Sequence, residues 1–167
     1  MAADGYLWQP AVGLVLCGIC DMFDGMVART KKNRTADEKN FGIQIDSLCD
    51  VICFGVLPGI FLYFSGLQTP WGIGIAAFYV LCALIRLAFF NVIESKRQEK
   101  EDGCAKFYRG LPVTTAAIIF PAVYVISKIL PDPAMTITYH AVPVIMSFLF
   151  IADFRVPKLD ISKLFHK

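Results

Sequence analysis

Five apolar blocks, each close to the length needed to cross a lipid bilayer, leave this chain few ways to fold. They cover residues 6–27, 43–65, 71–93, 113–130 and 136–154. A crossing helix needs about 20 mostly apolar residues. Helices are the only open option for such blocks, because a lone strand in lipid leaves its backbone groups unsatisfied. Composition agrees: 56% of the 167 residues are hydrophobic and 18% are charged, against about 25% charged in a typical soluble domain. The expected architecture is all-α, a polytopic transmembrane helix bundle with five helices visible, forming a single membrane domain over residues 1–167. Pro58, Pro121 and Pro143 fall inside the blocks. Transmembrane helices tolerate proline because neighbouring groups recover the lost bonds, so kinks are expected there.

The charge between the blocks alternates. Lys31, Lys32, Arg34 and Lys39 follow the first block, and Lys96, Arg97, Lys100, Lys106 and Arg109 follow the third. Arg155, Lys158, Lys163 and Lys167 lie in the tail. Residues 66–70 carry no charge, and the turn near Pro131 has only Lys128 and Asp132. By the positive-inside rule the basic segments face the cytoplasm and the short N-terminus lies outside. With a net charge of +2 and no basic patch interleaved with exposed aromatics, nucleic acid is excluded as a partner. The first block lacks the positive flank and small-residue cleavage pattern of a signal peptide. Cys17, Cys20, Cys49, Cys53, Cys82 and Cys104 read as small buried hydrophobes rather than a zinc site. Phe61, Tyr63, Phe64 and Trp71 read as anchors at the outer interface, and His140 as a structural residue.

Four aspartates stand out against this background. Asp21 and Asp24 are three residues apart and Asp46 and Asp50 four apart, so each pair shares a helix face. Gly25 and Gly42 lie one turn from their respective pairs and leave room for close approach to the backbone. Two helices running in opposite directions would gather all four carboxylates at the cytoplasmic interface. Their mutual repulsion calls for a cation. All-oxygen ligation favours Mg2+ or Mn2+ over zinc or copper. A divalent cation beside a lipid surface suggests phosphate chemistry. Arg29, two turns after Asp21, would suit a phosphate, or else snorkels to the interface.

Read as one string, Asp21-x-x-Asp24-Gly25-x-x-Ala28-Arg29 followed by Gly42-x-x-x-Asp46-x-x-x-Asp50 resembles the signature of the CDP-alcohol phosphatidyltransferase family. Twelve residues, 30–41, separate Arg29 from Gly42, a longer stretch than the family usually places there. The extra residues are expected to lengthen a cytoplasmic loop. Residues 41–56, the Arg86-Leu87-Ala88-x-Phe90-Asn91-Val92 segment and Tyr108-x-Gly110-Leu111-Pro112 are similar to the serine branch, the CDP-diacylglycerol–serine O-phosphatidyltransferases. The family normally has one transmembrane helix ahead of the signature helices. The resemblance therefore implies that this chain opens at what would be the second.

The resemblance implies transfer of the phosphatidyl group of CDP-diacylglycerol to the hydroxyl of L-serine, with release of CMP. It assigns Asp21, Asp24, Asp46 and Asp50 to the metal, with Asp50 as the catalytic base. It puts Gly25, Ala28, Arg29 and Gly42 at the CDP-diacylglycerol site. It also implies a homodimer in the cell membrane with its active site facing the cytoplasm. Serine carries a carboxylate that needs a cation. Arg86 is the leading candidate, with Asn91 and Arg109 beside it, although Arg86 would also suit an ion pair with an aspartate, and Asn91 a helix-end cap. Two other readings stand: the same chemistry on glycerol phosphate or inositol phosphate, and a cation transporter built on intramembrane acids.

Overall fold

The computed structural model describes residues 7–28, 30, 34–98, 107–129, 131–152 and 155–157. Helix α1 spans Trp8–Ala28. Helix α2, Ala36–Asp50, runs through a π-helical segment, Val51–Val56, into α3, Leu57–Phe64. These three pieces make one continuous rod over Ala36–Phe64. Helix α4 spans Pro70–Gln98, and α5, Ala116–Ser127, is entered through a 3-10 turn at Val113–Thr115. Helix α6 spans Asp132–Ile151. Counting the rod once, five helices match the five apolar blocks. Strands β1, Phe107–Arg109, and β2, Arg155–Pro157, form an antiparallel ribbon that the sequence reading does not anticipate.

The second helix starts well before residue 43. Thr35 is its N-cap: its hydroxyl accepts from the Glu38 N–H at 3.2 Å, and the Glu38 carboxylate accepts from the Thr35 N–H at 3.0 Å. This reciprocal capping box satisfies two orphan donors, and Asp37 and Glu38 suit the positive end of the helix dipole. The extra residues of the first connection thus extend a helix instead of lengthening a loop.

Neighbouring helices close on each other through small residues. The rod lies along α4, α4 packs on α6, and α1 packs on α5 and α3. A Cβ added to Gly18 would come within 2.7 Å of the Ala117 methyl, so α1 and α5 cross at backbone distance. Gly59 similarly admits Val80 of α4, 3.2 Å from where its Cβ would stand. The core is aromatic. Phe61 meets Phe120 and Tyr124 edge-on, and Tyr79 meets Phe120 at 5.5 Å and Phe150 at 5.6 Å between ring centroids. Such tilted pairs add to simple burial. Phe61 is 0% exposed, which corrects its reading as an interface anchor; Tyr63, Phe64 and Trp71 are exposed as expected.

Pro58 disturbs the rod in a specific way. It cannot donate to the carbonyl of Phe54 four residues back. That carbonyl lies in the π-helical turn and accepts instead from the Tyr79 hydroxyl at 2.7 Å. In α6 the Ser147 hydroxyl donates to the Pro143 carbonyl at 2.7 Å, a bond within one turn of the helix.

Among the described residues, three helices are long and apolar enough to cross a membrane: Ala36–Phe64, Pro70–Ile93 and Ala134–Ile151. Val113–Ser127 is a shorter apolar helix. Leu16, Phe23, Ile52, Ile73, Ile118 and Phe148 lie exposed on the outside of the bundle. An apolar exterior of this extent suits lipid, and the chain is a multi-pass membrane protein. Cys82 is buried as expected, but Cys20 and Cys49 are exposed, which corrects their reading as buried; Cys104 lies outside the described residues.

Candidate functional site

Gly13 of α1 stands beside Leu57 of the rod, and further along α1 Asp21 meets Asp46 of α2. The two helices therefore run antiparallel, and the acidic end of one faces the acidic half of the other. Asp21, Asp24 and Asp46 each bring a carboxylate oxygen within 4.8 Å of the others. Asp21 is half-buried, while Asp24 and Asp46 are exposed. Asp50 lies one turn beyond Asp46, half-buried, outside this tight group but within electrostatic reach of all three. Three carboxylates converge, then, with a fourth set back toward the bundle interior.

Like charges at this spacing repel, and a partly desolvated setting strengthens the repulsion. The donors are all carboxylate oxygens, the set that hard divalent cations take. Among the described residues this is the one acidic, histidine or cysteine group close enough to hold a metal ion. The donor set thus fits a divalent cation.

Space for a ligand lies alongside. A Cβ built on Gly25 would meet nothing within 4 Å, so the face of α1 one turn past Asp21 is open. Gly42, one turn before Asp46, is covered by the guanidinium of Arg34: an added Cβ would stand 3.1 Å from an Nη. Sequence reasoning treated Arg34 only as a loop cation. The Thr35-x-x-Glu38 capping box was the signal that fixes its place. Ala28 closes α1, but its side chain lies outside the described atoms, and Arg29 lies outside the described residues.

Two of the serine-side candidates, Arg86 and Asn91, are tied to the scaffold. Arg86 is 6% exposed, and its Nε donates to the Leu111 carbonyl at 3.2 Å. It also stands 3.5 Å from where a Cβ on Gly110 would be. Gly110 has φ +74°, a left-handed conformation that glycine adopts without strain. A Cβ there would also come within 2.7 Å of the Ala152 carbonyl oxygen. The Arg86 segment and the Tyr108–Pro112 segment, far apart in sequence, therefore meet at one node. Asn91 accepts at 2.7 Å from the hydroxyl of buried Ser47, between Asp46 and Asp50 on the rod. This bond joins α4 to the acidic helix and replaces the helix-end cap anticipated for Asn91. Arg109 lies in β1, with its side chain outside the described atoms. His140 bonds the Thr136 carbonyl within its own helix at 2.8 Å, in keeping with a structural role.

Comparison with known proteins adds the family. The description CDP-alcohol phosphatidyltransferase matches residues 1–152. The chain is 37% identical over 123 residues to a CDP-diacylglycerol–serine O-phosphatidyltransferase of Saccharomyces cerevisiae, covering 72% of this chain and 43% of that one. It is 31% identical over 161 residues to an archaetidylserine synthase of Methanothermobacter thermautotrophicus, covering 96% of this chain and 63% of that one. A CDP-diacylglycerol–serine O-phosphatidyltransferase of Helicobacter pylori is 36% identical over 120 residues, 70% of this chain and 46% of that one. The chain thus spans about half the length of the curated relatives it matches. No solved structure matches. With three signature aspartates gathered from two helices and the family description matching over nearly the whole length, this chain belongs to the CDP-alcohol phosphatidyltransferase family.

Proposed function

We propose that this chain transfers the phosphatidyl group of CDP-diacylglycerol to the hydroxyl of L-serine, giving phosphatidylserine and CMP, at the cytoplasmic face of the cell membrane. The observation that carries this reading is the convergence of Asp21, Asp24 and Asp46 from two antiparallel helices within 4.8 Å. The relatives named for serine transfer support the acceptor. The archaetidylserine synthase shares that acceptor and differs in the lipid its name implies.

Asp21, Asp24, Asp46 and Asp50 would hold Mg2+ or Mn2+. Such a cation, once bound, neutralises charge on the diphosphate and on the departing CMP. The chain's own groups then have separate tasks. The open face at Gly25, together with Ala28, receives the cytidine end, Arg29 meets the diphosphate, and Gly42 completes the CDP-diacylglycerol site. Asp50, set back from the tight group, accepts the serine hydroxyl proton as the oxygen attacks the phosphorus bearing diacylglycerol. The new P–O bond forms as the bond to CMP breaks. Arg86, Asn91 and Arg109 serve the serine carboxylate side. The apolar exterior keeps the acyl chains among the helices. The basic segments after the first and third helices support the cytoplasmic orientation. A homodimer is the proposed assembly.

The test is CMP release by membranes supplied with CDP-diacylglycerol and, separately, serine, glycerol phosphate or inositol phosphate. Serine alone should give turnover. Turnover with another alcohol and not with serine would move the acceptor. Silence with every alcohol would remove the activity. The cation-transport reading has the family match against it, and no observation favours it.

A further inference from the structure

Arg34 precedes the N-cap of α2 and is half-buried, with its guanidinium laid over Gly42. An added Cβ on Gly42 would stand 3.1 Å from one Nη and 3.9 Å from Cζ. The missing side chain at Gly42 is what lets the guanidinium rest against the helix. The backbone beside it is held firmly, because Thr35 and Glu38 bond each other in both directions immediately after Arg34. Among the described residues, no hydrogen bond or ion pair reaches Arg34. A guanidinium carries five donors in a planar fork that matches phosphate or carboxylate. Here the fork is positioned and partly desolvated, and no described residue answers it.

Its location narrows the anion. Gly42 is one helical turn, about 6 Å, from Asp46 along the same helix. The acidic group lies near enough for one ligand to span both places, yet among the described residues no carboxylate pairs with Arg34 directly. A ligand held by cation-bound oxygens at one end and by a guanidinium at the other is a polyphosphate in character. We propose that Arg34 binds the diphosphate of the nucleotide-linked lipid over Gly42, as a second arginine for that group besides Arg29. This inference rests on the phosphatidyltransferase reading above. It also gives the connection between α1 and α2 a purpose, since that segment returns a cation to the signature helix.

The experiment uses the full chain in detergent micelles with Mg2+, and CDP as the soluble probe. Calorimetry should show Arg34→Ala weakening CDP binding about tenfold, the loss of one charge-assisted contact. In turnover, Arg34→Ala should raise KM for CDP-diacylglycerol by a similar factor and leave KM for serine within about twofold. Arg34→Lys should recover part of the loss. Gly42→Ala should act in the same direction by pushing the guanidinium aside, and the double variant should add little, because both changes act on one group. Equal CDP binding by wild type and Arg34→Ala overturns the assignment while leaving the family reading intact. So does a rise in KM for serine alone, or simple additivity in the double variant. If wild type neither binds CDP nor releases CMP, the phosphatidyltransferase reading fails and this inference goes with it.

Discussion

The Tyr79 hydroxyl donates a 2.7 Å hydrogen bond to the Phe54 carbonyl, four residues ahead of Pro58. The bond couples α4 to the π-helical turn that directly follows Asp50. Tyr79 is fully buried, so removing its hydroxyl leaves a carbonyl with no water to turn to. Tyr79→Phe should therefore cost about 1–3 kcal/mol of stability, read as a lower melting temperature in detergent. Pro58→Ala returns an N–H to position 58 and should recover part of the loss in the double variant. A Tyr79→Phe protein that melts like wild type would show that the bond carries no weight.

The crossing of α1 and α5 makes a second prediction. A methyl on Gly18 would stand 2.7 Å from the Ala117 methyl, and α5 is itself held to α3 by the ring contacts of Phe120 and Tyr124 with Phe61. Gly18→Ala should destabilise by about 1–3 kcal/mol through overpacking. Ala117→Gly in the same chain vacates that space and should restore most of the melting temperature. Failure of the rescue would mean that glycine is needed at position 18 for another reason.

Much of this arrangement is legible from residue spacing alone. The five apolar blocks give the five helices, and the spacings of Asp21 with Asp24 and Asp46 with Asp50 already place each pair on one face. The misses have physical causes. Phe61 and Phe64 look alike in sequence, and only packing against Phe120 and Tyr124 makes one core and leaves the other exposed. The answer to Pro58 depends on Tyr79, a residue in another helix. The bond from Arg86 to the Leu111 carbonyl, on a separate segment, is likewise not readable from spacing and leaves the serine-side role of Arg86 open to test. The early start of α2 is different, because Thr35-x-x-Glu38 is a local pattern open to inspection.

The acidic group leads to a prediction about metal removal. Chelation should abolish CMP release, and Mg2+ or Mn2+ should restore it. Asp21→Asn takes one carboxylate from the three that converge within 4.8 Å. Changes merely around a metal site often cost 10–100-fold in affinity, so losing a member of the group should raise the metal concentration for half-maximal rate by at least about tenfold. Turnover that survives exhaustive chelation would remove the metal from the reaction.

Asp50 should behave differently from Asp46, and the geometry says why. Asp46 is one of the three converging carboxylates, whereas Asp50 stands outside that group and one turn further along the rod. Asp46→Asn should mainly weaken metal binding, so that excess Mg2+ or Mn2+ recovers much of the rate. Asp50→Asn removes the proposed proton acceptor, and metal in excess should not help. Loss of a general base typically costs about 10²–10⁴-fold in rate. An asparagine at position 50 is near in size and keeps the bundle intact, so the melting temperature should hold while CMP release falls. If excess metal rescues Asp50→Asn as well as it rescues Asp46→Asn, Asp50 serves the metal alone and the base lies elsewhere.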